Sequence, residues 1–87
     1  MTATPVSLAC RVRRIIGDEL GVDPDTLAHG DPFAKLGATD IQMIHIVMSV
    51  EDTVDAEATD DDAEAVKTVG QLIDLAERLG VGSTVAA

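Results

Sequence analysis

Two Thr-x-x-Gln segments, Thr39-Asp40-Ile41-Gln42 and Thr68-Val69-Gly70-Gln71, each stand at the head of an apolar run with helical spacing. In such a capping box the Thr oxygen and the Gln side chain satisfy backbone N–H groups that an opening helix leaves exposed, so both segments predict helix starts. The first helix so marked covers residues 40–54. Met43, Ile46, Val47, Val50 and Val54 form one apolar stripe on it, and Ile41, Ile44 and Met48 form a second. One stripe is enough to face a core; the other is either a docking surface or part of a wide face buried among neighbouring helices. The second marked helix carries Leu72, Ile73, Leu75, Ala76 and Leu79 and is expected to stop at Gly80, with a frayed tail over 80–87.

An earlier helix is predicted from about residue 6 to residue 20. Val12, Ile15, Ile16 and Leu20 fall on one face, Arg11, Arg13, Arg14, Asp18 and Glu19 on the rest, and Gly21 ends it. A short fourth helix over 60–66 would place its acids in the first turn, at the positive end of the helix dipole. No strand alternation is present. The expected fold is therefore all-α: a single-domain bundle of three main helices and one short one, ordered over about 6–79. Between the first two main helices, residues 22–38 form a long connection punctuated by Pro24, Gly30, Pro32 and Gly37, with Leu27, Phe33 and Leu36 as its anchors to the core.

With 87 residues the chain has room for one small domain, and a domain this size hides only about 60% of its unfolded surface. A deep active site is not expected. Its apolar content of 46% is ordinary for a folded protein, but Phe33 is the only aromatic residue, so the core must be aliphatic. Sixteen acids against six bases give a net charge of −10. That balance, with no aromatic platform for bases, excludes nucleic acid as a partner and favours basic protein surfaces. Eight of the acids, Glu51, Asp52, Asp55, Glu57, Asp60, Asp61, Asp62 and Glu64, fall within 51–64, and no Lys or Arg lies between Lys35 and Lys67. A lone cysteine, Cys10, and the lack of any run near 20 apolar residues predict a soluble, cytoplasmic protein, expected to act as a monomer.

Catalytic sets do not assemble. His29 and His45 lie on different elements with no second ligand at metal spacing. Ser7, Ser49 and Ser83 are outside any nucleophile-elbow pattern. Asp60-Asp61-Asp62 lacks the Gly and Glu that a calcium loop needs, so no metal site is expected and the acids read as a solvated face. The chain does not read as an enzyme.

The run from Arg11 to Val22, then Leu36-Gly37-Ala38, Ile46-Val47-Met48, Asp61-Asp62-Ala63-Glu64 and Lys67-Thr68-Val69 closely resemble the acyl carrier proteins of bacterial fatty-acid synthesis, over roughly residues 10–79. The resemblance implies a right-handed bundle with a long first loop, an acidic second helix that docks on basic patches of lipid-synthesis enzymes, and an acyl chain stored between helices. It also implies a phosphopantetheine arm on a serine at the start of the second helix. Where the family reads Leu-Gly-Ala-Asp-Ser-Leu, this chain reads Leu36-Gly37-Ala38-Thr39-Asp40-Ile41, with Asp40 at the attachment position. The loop between Phe33 and Leu36 is one residue shorter than in the family. Gln42 and His45 replace acids on the docking helix, and Val54 and Ala58 replace larger residues, which leaves either a looser bundle or a wider cavity.

A serine oxygen bound to the arm's phosphate makes a durable phosphodiester, whereas a carboxylate would make an acyl phosphate, a mixed anhydride prone to hydrolysis. Thr39 has a hydroxyl, but one position early, crowded by its methyl and engaged in capping. The expectation is therefore a carrier-shaped docking or regulatory module with no cofactor, whose docking residues are Ile41, Ile44, His45, Met48, Glu51, Asp52 and Asp55. Asp40 would contribute either a charge at the helix dipole or an imitation of the phosphodiester. Two alternatives stand beside it: a working carrier modified elsewhere, as at Thr39, and a structural subunit that uses the fold outside lipid metabolism.

Overall fold

In the computed structural model, which describes residues 7–84 and the side chains of 7–80, the first helix, α1, spans Leu8–Leu20. Ser7 caps it, its Oγ accepting the Cys10 N–H at 3.2 Å, so the helix starts two residues later than the apolar spacing predicts. Residue 6 lies outside the described residues. The predicted stop holds. Gly21 takes the left-handed conformation at φ 70°, and the N–H groups of Gly21 and Val22 both donate to the Gly17 carbonyl.

The long connection is less irregular than its prolines and glycines suggest. Pro24–Thr26 form a single 3₁₀ turn, with Pro24 at its first position and the Asp23 carboxylate accepting the Asp25 N–H at 2.9 Å. Further on, the chain is laced to the segment that opens the last helix. Phe33 N–H donates to the Lys67 carbonyl and Val69 N–H to that of Asp31, making an isolated antiparallel bridge between Pro32 and Thr68. Leu27 and Phe33 are buried and Leu36 packs partly on the core, as predicted.

Helix α2 runs over Asp40–Val54, and α3, capped by Thr59, over Asp60–Ala65. Helix α4 spans Val69–Thr84 and so passes through Gly80, where the sequence predicts its end. A glycine inside a helix costs only about 1 kcal/mol relative to alanine. Here Gly80 packs beside Leu8 of α1 and Val54 of α2, whose side chains would meet an added Cβ at 3.6 and 3.7 Å, and tertiary packing overrides the weak stop signal. Of the expected tail, residues 85–87 lie outside the described residues.

The core is aliphatic. Val12 and Ile16 of α1, Ile46 and Val50 of α2, and Leu72, Ile73, Leu75 and Ala76 of α4 have at most 2% of their surface exposed. Each of the larger side chains stabilises the fold by about 1.5–3 kcal/mol through burial. Helix α3 contributes no buried residue; Val66, at its end, does. The result is an all-helical bundle in which α1, α2 and α4 enclose the core and α3 lies outside it. Among the described residues no helix is long and apolar enough to cross a membrane.

Candidate functional site

The opening of α2 is built by the capping box that the sequence announces. Thr39 Oγ1 accepts the Gln42 N–H at 3.2 Å, and Gln42 Oε1 accepts the Thr39 N–H at 2.9 Å. Gln42 reaches further: its Nε2 donates to the Glu19 carbonyl at 3.5 Å, linking the cap to the end of α1. Asp40 follows the cap as the first helical residue and is exposed, with its carboxylate at the positive end of the helix dipole.

The two stripes of α2 have separate fates. Ile46, Val50 and Val54 face the core, with Met43 packed against it. The second stripe is open: Ile41, Ile44 and Met48 are 65%, 56% and 56% exposed, and they are the large hydrophobic residues that the described part of the molecule leaves uncovered. Of the two readings of that stripe, exposure is correct. His45, Asp52 and Asp55 surround it, all exposed.

Glu51 differs from its neighbours. It is half-buried, and its Oε2 accepts the Ala58 N–H at 2.7 Å, which closes the turn between α2 and α3. Its carboxylate is thus partly committed to the fold rather than wholly presented on the face. The acids that follow in α3 also have a local role, since Asp60, Asp61 and Asp62 occupy the first turn of that helix behind the Thr59 cap.

Between α2 and α3 lies an open cleft of about 540 Å³. Met43, Ile44, Val47 and Met48 line one wall, and Ala58, Ala63 and Val66 contribute the other. Asp40, Glu51, Asp60, Glu64 and Lys67 form its polar margin. Of the two small residues that the sequence connects with a wider cavity, Ala58 lines this cleft, whereas Val54 is buried in the core beside Gly80. The further signal available was Ala63, a second small residue facing the long side chains of α2.

A family model described as a phosphopantetheine attachment site matches residues 10–76. The chain belongs to that family. An acyl carrier protein of Bdellovibrio bacteriovorus is 38% identical over 71 residues, covering 80% of this chain and 91% of that relative. The all-helical bundle is consistent with that of acyl carrier proteins, which are carriers and not catalysts. Within this family member, the start of α2 presents a carboxylate on Asp40 and the capping hydroxyl of Thr39.

Proposed function

We propose that this protein is an acyl-carrier-like docking module that carries no phosphopantetheine arm and acts in the cytoplasm beside lipid synthesis. The observation that supports this reading most is the chemistry at the start of α2. Attachment of the arm requires a free hydroxyl, and Asp40 has none. The Thr39 oxygen is held in the capping box, so modification there would compete with the bond that starts the helix. The residues present therefore do not fit a covalently held arm.

The rest of the face suits binding without transfer. An exposed ridge of Ile41, Ile44 and Met48, flanked by Asp40, Asp52 and Asp55, complements a partner surface that sets basic side chains around an apolar patch. Asp40 gives this surface a fixed single negative charge at the head of the helix. A phosphodiester carries the same charge, so Asp40 lets a partner that expects a loaded carrier engage this one instead.

A second reading, a working carrier modified at Thr39, is favoured by the exposure of that residue and by its place beside Asp40. One experiment separates the two. Incubation with a phosphopantetheinyl transferase and coenzyme A, followed by intact mass measurement, is expected to leave the protein unchanged and to add the arm to the Asp40→Ser variant. Gain of the arm by the unaltered protein overturns the first reading.

A further inference from the structure

On the edge of α2 that meets α1, His45 holds a carboxylate that belongs to another helix. Its Nδ1 lies 3.1 Å from Oε2 of Glu19, near the end of α1 and 26 positions earlier in the chain. The two side chains are 54% and 30% exposed, so the pair stands at the surface. The backbone of Glu19 also meets α2, since its carbonyl accepts the Nε2 proton of Gln42 at 3.5 Å. His45 is also the helical neighbour of Ile41 and Met48, four residues before it and three after it, which places the Glu19 carboxylate beside the exposed apolar ridge.

We propose that Glu19 is a specificity-determining residue of the docking surface, presented there by His45, and that it receives a lysine or arginine from a partner protein whose apolar side chains cover Ile41 and Met48. The inference rests on the docking reading and deepens it. Its basis is charge complementarity: the ridge has Asp40 at one end and Asp52 and Asp55 at the other, and Glu19 supplies the negative charge on the α1 side. His45 engages one oxygen of a carboxylate that has two, so acceptor capacity for a cation is retained. The same bond restrains a long, flexible side chain before the partner arrives, which reduces the ordering cost of association. A docking surface read from α2 alone therefore omits a residue of α1.

The test uses a synthetic amphipathic peptide with leucines on one helical face and lysines on the other, titrated into the nitrogen-15-labelled protein. Shifts at Ile41, Ile44 and Met48 are expected. Glu19→Gln should weaken binding about threefold, and His45→Ala by a smaller factor in the same direction. Glu77→Gln, which removes one charge from an exposed position on α4, should leave it unchanged. Matching thermal midpoints for the variants separate the effect from loss of fold. If Glu19→Gln behaves like Glu77→Gln while the α2 shifts persist, Glu19 is not part of the surface although docking stands. If the peptide shifts no residue of α2, the docking reading itself falls.

Discussion

The N–H of Gly70 donates to the carbonyl oxygen of His29 across 2.7 Å, fastening the middle of the long first connection to the opening turn of α4. An added Cβ at position 70 would stand 2.8 Å from that same oxygen, and 3.4 Å from the His29 side chain. Backbone cannot swing aside as a flexible side chain can. Gly70→Ala would gain about 1 kcal/mol of helix propensity, but the close approach outweighs it, with overpacking that costs typically 1–3 kcal/mol and a lost or lengthened bond besides. Net destabilisation of about 1–2 kcal/mol is expected, read as a lower urea midpoint.

That contact also marks where sequence reading stops. The starts of α2 and α4 were legible because a capping box is local: Thr39 with Gln42, and Thr68 with Gln71, satisfy each other within one turn. The stop at Gly21 was legible for the same reason. By contrast, the bridge from Pro32 to Thr68 and the bond from Gly70 to His29 join segments far apart in the chain, and no residue type at either end signals them. At the site, helical periodicity identified the stripe of Ile41, Ile44 and Met48 but not whether it is covered. Its exposure is a matter of packing: Ile44 and Met48 line the open cleft between α2 and α3, and Ile41 lies outside that cleft. Glu51 and Glu19 show the same limit, since a carboxylate's partner across a turn or on another helix has no sequence signature.

Thr39→Ala removes the oxygen that accepts the Gln42 N–H and leaves a donor of α2 without its intramolecular partner. The other half of the box, Gln42 Oε1 on the residue 39 N–H, survives the change. A loss of about 1 kcal/mol is expected, typical of N-cap removal, with hydrogen exchange accelerated most in the first turn of α2. Thr39→Ser keeps the acceptor and should stay within about 0.5 kcal/mol of the natural protein. Exchange rates equal for the alanine and serine variants would show that the cap contributes nothing.

Two isoleucines two residues apart on α2 should respond in opposite ways. Ile46 is fully buried, and truncation to alanine leaves a cavity that costs about 2–5 kcal/mol, a large part of the stability of a domain this size. Ile44 is 56% exposed, and Ile44→Ala should change stability by about 0.5 kcal/mol or less, while weakening the basic amphipathic peptide severalfold. Denaturation and titration of both variants check the pair. A large stability loss for Ile44→Ala would assign that residue to the core instead of the face.

Asp55 combines both kinds of role, and three substitutions separate them. It ends α2 in the left-handed region, at φ 55° and ψ 46°, with its N–H donating to the Glu51 carbonyl, and among the described residues it is the one non-glycine at positive φ. A side chain in that conformation costs about 1–2 kcal/mol, less for Asn and Asp, and nothing of that kind for Gly. Asp55→Ala should therefore lose about 1 kcal/mol, whereas Asp55→Asn and Asp55→Gly should remain within about 0.5 kcal/mol of the natural protein, the relief of strain in Gly being offset by the greater freedom of its unfolded chain. All three remove the same charge from the docking face. If that charge steers the partner, they share one reduction in peptide affinity and a shallower dependence on salt, whatever their stability. Affinities that follow the thermal midpoints instead would show that Asp55 acts through the conformation of the turn and not through its carboxylate.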